Sequence, residues 1–260
     1  MTQGAFTRAI VRPPPTTFAS GLTSVDLGPP DLARARTQHA GYCEALERCG
    51  VSLTRLPEDP AHPDSTFVED TAILTAKRAI LTRPGAPSRS GEVAAIEPAL
   101  SKFYAQLQSI RDPGTMDGGD ICEADGQFLI GISQRTNEEG ARQLASLLAE
   151  EHVASSTVDI RALPGLLHLK SGIASIGRRR ILAIDALHDH PALRGSEIIL
   201  VEPEEAYAAN CVLVNGTILM AAGYPILEAT LLELGLRIET LPMSEFEKMD
   251  GGLSCLSLRF

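Results

Sequence analysis

The stretch "FVEDTAILTAKRAILTRPG", residues 67–85, sets the plan of the chain. An apolar run, the polar turn "TAKR" and a second apolar run follow one another, which is the pattern of a β-hairpin. The plan returns in "MDGGDICEADGQFLIGIS" (116–133), "HLKSGIASIGRRRILAID" (168–185) and "AANCVLVNGTILMAAGYP" (208–225). Their turns are "EADGQ", "IGRRR" and "VNGT". Asp-Gly and Asn-Gly are strong hairpin signals, because both central residues of a tight hairpin turn need positive φ. The hairpins begin near residues 67, 116, 168 and 208, in steps of 49, 52 and 40. Such a period marks a repeated supersecondary unit. A fifth unit falls due near 252, where one strand, "GLSCLSLRF", remains. Its missing partner is read as the first strand, "FTRAIVRP" (6–13).

Amphipathic segments separate the hairpins and predict helices over 31–50, 88–104, 136–151 and 224–235. The fold class is therefore α/β, read as a single domain over residues 1–260. Two architectures fit: a ring of repeats closed by pairing the terminal strands, and an open doubly wound sheet. The ring is preferred, because hairpins outnumber simple β-α-β units. Closure also explains why both chain ends are apolar.

At 260 residues, with 44% hydrophobic residues and a mean hydropathy of +0.04, the chain has the composition of a globular protein. No apolar run approaches the roughly 20 residues that span a bilayer. The start, "MTQGAFTRAIVRPPP", lacks a basic segment followed by a long apolar one, so no secretory leader is expected. The expectation is a soluble, cytoplasmic protein with no membrane partner. A net charge of −10 speaks against nucleic acid as a partner and suits a cationic small molecule. The five cysteines, Cys43, Cys49, Cys122, Cys211 and Cys255, are odd in number and form no CxxC pair. This argues against a disulfide framework or a thiolate metal site. Cys43 and Cys49 are expected to pack on a helix, and "HDH" (188–190) to be a solvated loop, so no metal is expected. No dominant apolar stripe marks an interface, which leaves a homodimer open.

Chemistry-bearing residues recur at the start of each hairpin: Glu69 and Asp70, then Asp117 and Asp120 around Gly118-Gly119, then His168, Asn210 and Cys255. Each has an ordinary reading alone. Acids at strand ends form turns, a histidine in an apolar context packs, and a single cysteine is inert. Equivalent points of a ring converge, however, and together these groups make a pocket. Cysteine, histidine and acids support nucleophilic catalysis at carbon. The acids exceed the single orienting group that a cysteine protease needs. Glu69, Asp70 and Asp117 instead favour a planar cation, and guanidinium matches carboxylates through paired hydrogen bonds. Arg89 and Arg135 are either holders of a substrate carboxylate or solvated charges.

The segments "PDSTFVED", "LTRPGAPSR", "MDGGDI", "SQRTNEEGARQ", "LHLKSG", "AANC" and "SEFEKMDGGLSC" resemble those of the dimethylarginine dimethylaminohydrolases, in order and nearly end to end. "GLTS", "AGYP" and the ending "GGLSCLSLRF" resemble the bacterial branch. The resemblance implies a five-bladed, pseudo-symmetric α/β-propeller (a pentein) of the guanidine-modifying superfamily. It implies hydrolysis of Nω-methylated arginines to citrulline and methylamine or dimethylamine, without a cofactor. By the same resemblance, Cys255 matches the nucleophile, His168 the general acid/base and Asp117 the acid that orients it. Glu69 and Asp70 match guanidine binders, and Arg89 and Arg135 the carboxylate binders. Asp64 and the Met249 carbonyl match binders of the amine end, and Leu22 matches a leucine on a mobile lid. Two departures stand out. Asp117 is glutamate in some bacterial relatives, and Leu256 stands where mammalian members carry a second cysteine. The rival readings are an arginine deiminase, an amidinotransferase and a non-catalytic propeller that binds a partner. The first two families are usually longer than this chain.

Overall fold

The repeat that sets the fold is a three-stranded sheet, and five of these appear in the computed structural model, which describes residues 5–260. The reading of the leader rests partly on residues 1–4, which lie outside the described residues. Each sheet joins an antiparallel pair to a third strand that lies parallel to the central one. The four predicted hairpins supply the antiparallel pairs: Ala72–Leu74 with Ala79–Leu81, Ile121–Ala124 with Gln127–Ile132, Ile173–Gly177 with Arg180–Ile184, and Val212–Val214 with Thr217–Ala221. The third strands, such as Ala154–Asp159 and Arg237–Leu241, were not foreseen. Both of these have few strong β-formers, and parallel pairing to a buried central strand is what holds them. At the turns Asp125 and Asn215 take φ of 50° and 48°, each followed by a glycine with positive φ. The Asp-Gly and Asn-Gly signals thus had the expected cause.

The chain divides into two compact units, one of Asp70–Ala209 and one of Ala5–Glu69 with Asn210–Phe260. The first unit holds three sheets. Its helix Glu138–Glu150 starts at Asn137, whose side chain accepts a hydrogen bond from the Gly140 amide. That helix buries Ala141, Leu144 and Leu148 against Ile80, Met116, Ile121 and Ile130. A second cluster joins Leu129, Val158, Leu169, Ile173, Ile181 and Leu187. The helix predicted over 88–104 is shorter, a 3-10 turn Pro87–Arg89 and then Glu92–Leu100. The "HDH" segment is surface turn structure. His188 Nδ1 donates to the Asp185 carbonyl at 2.6 Å, and His190 Nδ1 accepts the Ala192 amide.

The second unit holds two sheets. In one, Arg8–Val11 pairs in parallel with Ser52–Arg55 and antiparallel with the C-terminal strand Leu258–Arg259, so the two terminal strands are neighbours as the repeat arithmetic required. Helix Leu32–Arg48 is capped by the Asp31 side chain on the Arg34 amide. Cys43 is buried on this helix, whereas Cys49 is its half-buried C-cap. Phe18, Phe67 and Phe246 form an aromatic cluster with centroids 5.6–6.3 Å apart. Among the described residues no helix is long and apolar enough to cross a membrane.

Candidate active site

The residues singled out by the repeat do not sit in the hairpin strands. They lie on or next to short 3-10 turns that enter the sheets: Val68–Thr71, Gly118–Asp120, Leu169–Ser171, Pro203–Ala209, which Asn210 follows, and Ser254–Leu256. Asp117 and His168 are the residues immediately before two of these turns, in extended conformation. A tight turn presents side chains at the mouth of a sheet, where a strand would alternate them between faces.

In the first unit, four of the predicted residues meet. His168 Nε2 donates to Asp117 Oδ2 at 3.1 Å, and both side chains are buried. Asp70 accepts the Gly119 amide on Oδ1 at 2.8 Å and Arg89 Nη1 on Oδ2 at 2.6 Å. The Arg89 Nε and Nη2 donate to Glu92, which the sequence reading did not single out. Gly119 fills a gap that admits no side chain, since a Cβ there would lie 2.7 Å from His168 Nδ1 and 3.0 Å from Asp70 Oδ1. Asp120 supports the next residue, accepting the Leu169 amide together with the Ser133 and Thr136 hydroxyls. The Asp117 Oδ1 accepts the Gly85 amide, and Gly85 packs on the backbone of Arg135. Among the described residues no carboxylate pairs with the Arg135 guanidinium.

Charge sets the protonation of this group. Burial alone pulls the His168 imidazole down. The Asp70 charge, the Asp117 hydrogen bond and the Asp120 charge outweigh it and raise the pKa to about 9. Burial pushes Asp70 up, but Arg89 and His168 hold it down at about 2. Burial raises Asp120, with its hydrogen bonds opposing. Asp70, Asp117 and His168 offer ligand atoms within 4.8 Å of one another, which is metal-ligand spacing. Within the protein these ligand atoms are already engaged, Asp70 with Arg89 and His168 with Asp117.

In the second unit, Cys255 is buried on its 3-10 turn. The Gly252 amide donates toward Cys255 Sγ at 3.5 Å, and Ser254 Oγ lies 4.0 Å from the sulfur. Asn210 Oδ1 accepts the Ser254 amide at 3.0 Å. A Cβ on Gly252 would stand 2.3 Å from the Asn210 side chain, so only glycine fits. Glu69 accepts Arg259 Nη2 at 2.9 Å. Asp64 accepts the Leu22 amide at 3.1 Å, and the Met249 side chain packs on Gly21. Leu22 itself is 41% exposed, on a segment tied down where Ser24 donates to Asp250.

Residues 59–190 match the family model described as arginine deiminase. Over 256 residues the chain is 43% identical to the N(G),N(G)-dimethylarginine dimethylaminohydrolase of Pseudomonas aeruginosa, which covers 98% of this chain and 100% of that one. The chain belongs to the dimethylarginine dimethylaminohydrolase family. The likeness extends to three dimensions. A solved DDAH from Pseudomonas aeruginosa, a cysteine-to-serine mutant complexed with citrulline, superimposes with a TM-score of 0.96 at 43% identity, covering 99% of this chain and 100% of that one. A dimethylarginine dimethylaminohydrolase histidine-to-glycine adduct with S-methyl-L-thiocitrulline gives 0.94 at 43% identity, over 98% and 100%. For this dimethylarginine dimethylaminohydrolase family member, the sequence reading missed Glu92 and Arg259, and noted Asn210 without giving it a role. Asn210 carried a signal, its place at the fourth repeat. Arg259 carried none, because its importance depends on where the last strand lies.

Proposed function

We propose that the chain hydrolyses Nω-methylated arginines, asymmetric dimethylarginine and monomethylarginine, to citrulline and dimethylamine or methylamine. What carries this reading is the end-to-end likeness to the citrulline-bound Pseudomonas structure. In the mechanism, Glu69 and Asp70 hold the guanidinium, and Arg89 and Arg135 hold the substrate carboxylate. Asp64, the Met249 carbonyl and the Leu22 segment hold its amine. The Cys255 thiolate attacks the guanidino carbon and forms a C–S bond. His168, kept protonated near neutrality and oriented by Asp117, gives its proton to the departing amine as the C–N bond breaks. An S-alkylthiouronium remains. Water then attacks the same carbon and loses a proton to His168. The C–S bond breaks, returning thiolate, and citrulline is released as the hydroxyl proton passes to the freed amine through solvent. The Gly252 amide donates toward the attacking sulfur.

Within this reading the five sheets are blades of a five-bladed propeller closed by the terminal strands, acting as one catalytic domain. The substrate is a small molecule, and no nucleic acid or membrane is needed. A cytoplasmic location suits five free cysteines. A homodimer is tested by sedimentation at two concentrations. The match to the arginine deiminase family model favours a second reading, hydrolysis of unmethylated arginine. Citrulline release from dimethylarginine, monomethylarginine and arginine separates the two. Methylated substrates are expected to dominate, and Cys255→Ser to fall to background. Preference for arginine overturns the substrate, and activity in the serine variant overturns the nucleophile.

A further inference from the structure

The penultimate residue reaches into the binding machinery. Arg259 lies on the terminal strand, held by pairing with Ala9 and by the Phe260 amide on the Arg8 carbonyl at 2.9 Å. Its side chain is only 12% accessible. Nη2 donates to Glu69 Oε1 at 2.9 Å. Nη1 donates to the Ser254 carbonyl at 3.1 Å, the Ser257 carbonyl at 3.0 Å and Ser257 Oγ at 2.7 Å. Ser257 Oγ is in turn 2.6 Å from the hydroxyl of the fully buried Tyr42. One guanidinium therefore ties a carboxylate to both flanks of the turn that carries Cys255.

We propose that Arg259 is a positioning residue for the reaction: it orients Glu69 toward the substrate guanidinium and locks that carboxylate in register with the Cys255 turn. The proposal rests on the reading of Glu69 as a guanidine binder. A stitch needed only for stability would not call for charge, since replacing a buried ion pair with well-packed apolar groups is often neutral or stabilising. A glutamate has several rotatable bonds, and freezing them on binding weakens affinity. Arg259 freezes them beforehand, because its planar fork is fixed by three other acceptors. Lysine would keep the charge but not the planar, forked reach.

The test measures N-methyl-L-arginine binding by calorimetry in the Cys255→Ser background, where no turnover occurs. Arg259→Met is expected to weaken Kd at least tenfold, and Arg259→Lys by less. Adding Arg259→Met to Glu69→Gln is expected to weaken binding no further than Glu69→Gln alone, because Arg259 acts through Glu69. Should the methionine variant fail to fold, the lysine variant and its pair with Glu69→Gln give the same cycle. A Kd within twofold of the parent, or losses that simply add, overturns the assignment. Lack of citrulline production by the wild type, with Kd still dependent on Arg259, overturns the proposed activity and leaves the role of Arg259 standing.

Discussion

His168 and Asp70 set the pH behaviour at the scale of single residues. The folded pKa of His168, about 9, lies above its ordinary value of 6.5. Its stabilising contribution is therefore complete below 6.5 and lost as pH rises through 9. The thermal midpoint of the wild type is expected to fall between pH 7 and 9.5, and a scan of His168→Gln to be flatter there. Asp70 runs the other way. Its pKa of about 2 lies below 3.8, so its contribution is present above 3.8 and lost as pH falls through 2. Gly119 offers a geometric test. A Cβ there stands 2.7 Å from His168 Nδ1, so Gly119→Ala must displace the imidazole. Misplacement of a catalytic group by about 1 Å costs on the order of 100-fold, and kcat for dimethylarginine is expected to fall by about that factor. These residue types were legible in the sequence, since cysteine, histidine and paired acids recur at one point of the repeat. The partners that tune them were not, since Glu92 and Arg259 act only through contacts made after folding.

At the scale of elements, the Asn-Gly turn has a job beyond reversing the chain. Asn215, in the Asn-Gly turn, accepts the Phe6 amide on Oδ1 and donates from Nδ2 to the Phe6 and Cys49 carbonyls, all at 2.8 Å. It thus ties the hairpin Val212–Val214 and Thr217–Ala221 to the strand that opens the chain. Asn215→Ala loses three hydrogen bonds and places a less tolerant residue at φ of 48°. A loss of about 2–3 kcal/mol is expected in urea unfolding, with an unchanged m-value. The 3-10 turns teach a different lesson. A sequence pattern with period 2 marks the strands, but a single turn is too short to show any period. The placement of Asp117 and His168 just ahead of such turns therefore had no periodic signature.

At the scale of the whole molecule, the two chain ends share one sheet. Removing residues 258–260 deletes the strand that pairs with Arg8–Val11 and takes Arg259 with it, while leaving Cys255 in place. The truncated chain is expected to lose citrulline release, and amide exchange at Ala9 and Ile10 is expected to accelerate at least 100-fold. Protection at those amides equal to the full chain would refute the role of the pairing. By itself the sequence determined the α/β class, the five-fold repeat, the positions of the hairpins and the candidate residue types that recur with the repeat. Those depend on local propensity and on period, which are written along the chain. Only the tertiary structure decided the third, parallel strand of each sheet, the pairing of Arg89 with Asp70 and Glu92, and the reach of Arg259 to Glu69. Each of these joins residues well apart in sequence or chooses among several available partners. Burial makes that choice, because a charge removed from water must find its partner wherever the fold has put one.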